Sequence, residues 1–244
     1  MSLRLTFATA VRVLQQVRHD PRIVALLLVI PCGLIGLLAW VFSGGHVFDV
    51  VGAALLGVFP FVVMFLVTSV ATLRERQSGT LERLLVMPLG KGDLIGGYAL
   101  AFGLLAVVQA VLAAAFSVWV LGLDVAGPLW FLVLVAVLDA LLGTAFGLLV
   151  SAFATTEFQA VQFMPGAVIP QFLVCGLLLP RDQMPRPLEL VSDVLPLSYA
   201  VDAMRELTTD AHVRADLVVD ALVVVGFIVL FIAAAASTLR RRTP

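Results

Sequence analysis

Asp139 lies inside Val125–Thr156, an apolar run that carries no other charge. A carboxylate near the bilayer centre costs on the order of 2.5–3.5 kcal/mol even by insertion scales, so this side chain must face protein or water. Gly143, Gly147 and Ser151 follow it at steps of four. On a helix these form one stripe of small residues with a GxxxG pair, which permits close helix approach. Two roles fit the acid: a cavity or proton-linked group, or a protonated or hydrogen-bonded packing residue.

A second concentration of polar residues runs from Arg74 to Pro88. Charges at Glu75, Arg76, Glu82 and Arg83 alternate with Leu81, Leu84 and Leu85, whose spacing of three and four marks one helical face. A short amphipathic helix is expected there, ended by Pro88. A plain turn has no use for an apolar face, so the loop is expected to dock a partner.

The third concentration spans residues 180–213. Its charges deny it a full membrane span, yet Leu188, Leu190, Val191, Val194, Leu195 and Leu197 can bury an apolar face. Pro180, Pro185, Pro187 and Pro196 predict enforced turns. The segment is too long for a simple connection. It reads as a helical or re-entrant piece, either a lid over a pathway or a rigid brace.

Elsewhere the chemistry is sparse. Gly90-Lys91 lacks the glycine spacing and the Ser/Thr of a phosphate-cradling loop, so this chain is not expected to hydrolyse ATP. His19, His46 and His212 are scattered, and none stands at metal-ligand spacing. Cys32 and Cys175 fall in apolar runs and read as packing residues. Neither a catalytic residue, a metal site nor a cofactor is expected on this chain.

The elements that position these groups follow from composition. Of 244 residues, 61% are hydrophobic and 13% charged, and the mean hydropathy is +1.11. Soluble domains hold about 45–50% apolar and about 25% charged residues, so the chain must be an integral membrane protein. A net charge of -1 gives no basic field for nucleic acid. A helix needs about 20 apolar residues to cross a ~30 Å hydrocarbon core. The apolar runs at 23–42, 50–73, 94–123, 125–156, 158–180 and 221–239 meet that length. An all-α bundle of six spans, forming one domain over residues 1–244, is expected.

Arg4, Arg12, Arg18, Arg22, Arg74, Arg76, Arg83, Lys91, Arg240, Arg241 and Arg242 flank the spans in a pattern that assigns both termini to the cytoplasm. Ahead of the first span, Phe7, Ala10, Val11, Leu14 and Val17 recur at helical spacing. Residues 1–22 should form an interfacial helix. Pro31, Pro60, Pro165 and Pro170 interrupt expected spans, where kinks would open a cavity or hinge.

The stretch ERQSGTLERLLVMPLGKGDLIGGY, from Glu75 to Tyr98, resembles the first cytoplasmic loop of type-2 ABC exporter permeases. Met184-Pro185 followed by LPLSYAVDAMR, from Leu195 to Arg205, resembles that family's outer segment before the last helix. The resemblance implies a permease that pairs with a second copy or homologue and with two ABC ATPase subunits carrying ATP and Mg. It implies ATPase coupling through Glu75, Gly79, Thr80, Leu81, Glu82 and Arg83. It implies an outer gate at Met184, Pro185, Pro196, Tyr199, Asp202 and Arg205. The chain looks most like small bacterial drug or antibiotic exporters such as the daunorubicin-resistance permeases, set in the bacterial plasma membrane among lipid and an amphipathic substrate. Export of lipid-linked glycans is the alternative within transport. An intramembrane enzyme, or a receptor or assembly factor, is the alternative from another class.

Overall fold

The computed structural model describes residues 3–42, 46–77 and 91–238. In lipid every backbone N–H and C=O must be satisfied internally, which favours helices. Helices are what the apolar runs form, and no strand occurs among the described residues. The protein is an all-α membrane protein. α1 (Leu3–His19) is followed by α2 (Pro21–Val41), α3 (His46–Gln77), α4 (Lys91–Trp119) and α5 (Leu129–Phe153). A broken segment comes next: α6 (Glu157–Phe163), a π-helical turn (Met164–Val168) and α7 (Ile169–Val174). A 3₁₀ turn (Arg181–Gln183), α8 (Arg186–Val194) and α9 (Pro196–Thr209) lead to α10 (Ala215–Thr238).

Five of these, α2, α3, α4, α5 and α10, are long and apolar enough to cross a membrane. The run expected at 158–180 takes a different form. Helix geometry holds only from Glu157 to Val174, with the π turn at Pro165, and the chain from Cys175 to Pro180 is not helical. Proline lacks the N–H of the regular ladder, so a widened turn there has a local cause. Pro31 and Pro60 do not break their helices; α2 and α3 run through them. The prolines of 180–213 begin helical pieces as well as turning the chain: Pro187 and Pro196 occupy first-turn positions of α8 and α9. There the missing N–H costs nothing.

Several boundaries differ from the apolar runs because amphipathic ends extend the helices. α3 takes in Asp49, Arg74 and Glu75, and α10 starts early enough to include Asp216 and Asp220. Capping sets two starts: the Asp20 carboxylate accepts from the Arg22 N–H before α2, and Thr156 accepts from the Gln159 N–H before α6.

α3 and α5 form the core, and small residues rather than apolar bulk bring them together, since lipid offers no hydrophobic gain for helix association. A Cβ at Gly143 would stand 2.2 Å from the Phe61 carbonyl oxygen, and one at Gly147 would stand 2.7 Å from that of Phe65. Phe65 stacks on Phe146 at 5.2 Å beside this seam. α1 lies directly on α4, where a Cβ at Gly97 would meet Thr9 at 2.5 Å. Trp40, Trp119 and Trp130, each more than half exposed, sit at the ends of α2, α4 and α5 remote from α1. Exposed tryptophans at span ends suit a membrane–water interface, where amphipathic rings are enriched.

Candidate functional site

Two polar assemblies occupy opposite ends of the bundle. At the end bearing α1, consecutive residues of α3 face different partners. Glu75 accepts from Arg12 of α1 through both oxygens, Nη1 at 2.8 Å and Nη2 at 3.1 Å, and Arg12 also reaches the Tyr98 hydroxyl at 3.4 Å. Arg74 donates from Nε and Nη2 to both oxygens of Glu157 at the start of α6, at 2.8 and 3.0 Å. Paired fork-to-fork contacts define orientation more tightly than single ones. The last described turn of α3 is therefore tied both to α1 and to the broken segment. Of the coupling residues expected from the sequence, Glu75 belongs to this assembly, whereas Gly79, Thr80, Leu81, Glu82 and Arg83 lie outside the described residues.

At the other end Arg181 is the hub. It donates to Asp202 at 2.6 Å and to Asp193, and its guanidinium lies 5.0 Å from the centre of the Tyr199 ring. The Tyr199 hydroxyl in turn donates to the Asp193 carbonyl at 2.6 Å. Arg205 donates to the Gly176 carbonyl. Gly176 has φ +93°, a left-handed turn that favours glycine, and a Cβ there would stand 3.2 Å from Asp202. Ser192 and Ser198 join α8 to α9 at 2.9 Å.

Burial pushes the Asp202 carboxyl above its ordinary range while Arg181 pulls it back. Burial also works against the Arg181 charge, but Asp202 and Asp193 outweigh it and raise that group. The two partners' shifts therefore oppose each other. The contact with two acids supports a charged Arg181 near neutrality. An adjacent cavity of about 420 Å³ is bordered by Arg181, Asp182, Glu189 and Arg205.

Of the expected outer-gate residues, Tyr199, Asp202 and Arg205 converge here from one helix. Pro196 begins that helix, and Met184 and Pro185 form the link into α8. Sequence reading missed Arg181 and Asp193. The available signal was an arginine directly after Pro180 in an acid-rich stretch.

Between the two ends, Asp139 is fully buried, and neither carboxyl oxygen has a hydrogen-bond partner among the described residues. It faces Gly57 of α3, where a Cβ would stand 2.8 Å from Oδ2. Among the described residues no group of three His, Cys, Asp or Glu side chains is placed to hold a metal.

Comparison with known proteins fits this architecture. Residues 4–208 match the family model described as ABC-2 type transporter. The chain belongs to that family. It is similar to the probable multidrug ABC transporter permease YbhR of Escherichia coli, at 29% identity over 63% of this chain and 42% of that protein. It is 27% identical to the probable multidrug permease YbhS of the same species over 70% of this chain and 46% of that one. The linearmycin resistance permease protein LnrN of Bacillus subtilis is 25% identical over 74% of this chain and 47% of that protein. The chain thus aligns with under half the length of these relatives.

Proposed function

We propose that this chain is the membrane-spanning permease subunit of an ATP-driven exporter that moves amphipathic drugs or lipids out of the cytoplasm or inner leaflet of a bacterial plasma membrane. The observation carrying the proposal is the family match across residues 4–208, joined to relatives named as multidrug and antibiotic-resistance permeases. Two ABC ATPase subunits bind ATP and Mg and supply the work, and a second permease copy or homologue completes the pathway. Both termini are cytoplasmic, and the broken segment from Glu157 to Val174 acts as the sixth crossing.

In this reading Glu75, Gly79, Thr80, Leu81, Glu82 and Arg83 receive the ATPase's movement. The Arg12–Glu75 and Arg74–Glu157 pairs, at 2.8 Å each, hand it to α1 and α6. At the outer end the cluster of Tyr199, Asp202 and Arg205 around Arg181 closes the pathway. The test is purification with a partner ATPase, followed by ATP-dependent transport of a panel of drugs and lipids into vesicles. Glu82→Lys should preserve insertion and uncouple transport from ATP hydrolysis, because charge complementarity orients partners. Failure of any ATPase to co-purify, or unchanged coupling in Glu82→Lys, would count against the proposal.

A further inference from the structure

A second cavity, of about 300 Å³, lies at the α1 end of the bundle. It is bounded by the second half of α1, the α1–α2 corner, the last turns of α3 and the first half of α4. Its lining has an apolar and a polar part. Val17, Ile23, Ala71 and Phe102 form an apolar half, and Phe102 stands well along α4 from its start at Lys91. Asp20 and Arg74, with Gln16, Glu75 and Tyr98, form a polar part. An apolar wall adjoining a polar one matches a membrane lipid, whose acyl chains and headgroup meet at the glycerol.

The unspent hydrogen-bonding capacity defines the headgroup. Glu75, also on the wall, is neutralised by Arg12 through both oxygens. Arg74 uses Nε and Nη2 on Glu157, so its Nη1 N–H groups face no acceptor among the described residues. Asp20 spends Oδ1 on the Arg22 N–H at 3.0 Å, and its charge acts on Arg74 across the polar part of the wall without a direct ion pair among the described residues. Among the described residues the cavity therefore presents one cation's donor edge and, within its field, one carboxylate oxygen with no hydrogen-bond donor. A ligand complementary to both carries a phosphodiester and, a few bonds away, a cation with N–H donors.

We propose that this cleft binds an ethanolamine phospholipid of the adjoining leaflet. The phosphate takes Arg74 Nη1, the primary ammonium takes Asp20, and the glycerol and first acyl carbons lie on Val17, Ile23, Ala71 and Phe102. The volume holds the headgroup region and leaves the tails among surrounding lipid. Choline lipids bring a cation that cannot donate to Asp20, and glycerol-headed anionic lipids bring no cation at all. The inference does not depend on the exporter reading, because such a lipid can be resident or cargo.

The test uses the purified full-length chain in detergent. Dioleoyl phosphatidylethanolamine, phosphatidylcholine and phosphatidylglycerol are titrated separately, and retention is read by native mass spectrometry. Phosphatidylethanolamine should be retained about tenfold more strongly than either of the others, the scale of one charge-assisted hydrogen bond. Asp20→Asn keeps a good helix cap and should abolish that preference. Ala71→Phe fills the apolar part while leaving every charged side chain in the sequence, and should lower retention of phosphatidylethanolamine to the level of the other two. Equal retention of the three lipids by the unmodified chain, or an undiminished preference in both variants with native helical circular dichroism, overturns the proposal. Displacement by an equal concentration of tail-less glycerophosphoethanolamine would also overturn it, by assigning the site to a soluble headgroup.

Discussion

Arg181 serves two acids and an aromatic face at once, and only a planar guanidinium fork does all three. Arg181→Lys should therefore lower stability by about 1–2 kcal/mol, after discounting for the partial exposure of its partners. A fall in the thermal unfolding midpoint of the purified chain checks this. Asp202 adds a pH dependence whose sign is fixed by its upward shift through burial, against the pull of Arg181. Its folded form holds the proton more tightly than its unfolded form. The resulting stabilisation is complete below the unfolded value and declines as pH rises through the folded one. Unfolding compared between about pH 7 and about pH 4 should show the unmodified chain gaining stability relative to Asp202→Asn on acidification. A relative loss would mean that the Arg181 pairing governs the titration.

At the scale of elements, the α3–α5 seam depends on absent side chains. A methyl at Gly143 meets the Phe61 carbonyl oxygen, a backbone atom that cannot turn aside. Gly143→Ala should cost about 1–3 kcal/mol, the usual range for an overpacked contact. Reduced resistance to denaturant with the helical content retained checks it. The α1–α3 connection is a different case because its side chains are partly exposed. A double-mutant cycle on Arg12→Ala and Glu75→Ala should give a coupling of about 0.5–1 kcal/mol. A charge exchange placing Glu at 12 and Arg at 75 should restore part of it. If the proposed handover to α1 holds, each single variant also reduces transport per ATP hydrolysed, and the exchange recovers it.

For the whole molecule, the proposed orientation places α1 and the chain's last residues on the cytoplasmic side. With Cys32 and Cys175 first replaced, Ser2→Cys and Thr243→Cys should react with an impermeant thiol reagent only after cells are opened. Labelling in intact cells would reverse the orientation. A cysteine at Arg186, in the outer helical segment, should label in intact cells in the same background.

Membrane residence and helical class were legible in the chain alone, because apolar length and backbone satisfaction in lipid are local requirements. The family, too, was legible, since Glu75–Tyr98 and Leu195–Arg205 are contiguous stretches with recognisable order. So was the small-residue stripe of Asp139, Gly143 and Gly147, which follows from a period of four. Its partner was not: Gly57, Phe61 and Phe65 are glycine and phenylalanine among many in an apolar run. The tertiary structure likewise decided that Arg12 meets Glu75, that Arg74 meets Glu157, and that Arg181 gathers Asp193 and Asp202. It also decided that the run at 158–180 widens into a π turn at Pro165 and leaves the helix after Val174, while α2 and α3 pass through Pro31 and Pro60. Burial in lipid dictates where a helix forms, but every apolar face satisfies lipid equally. Which faces meet depends on the shape of the gaps left by glycines and on charges brought together from distant parts of the chain, and neither has a local period to read.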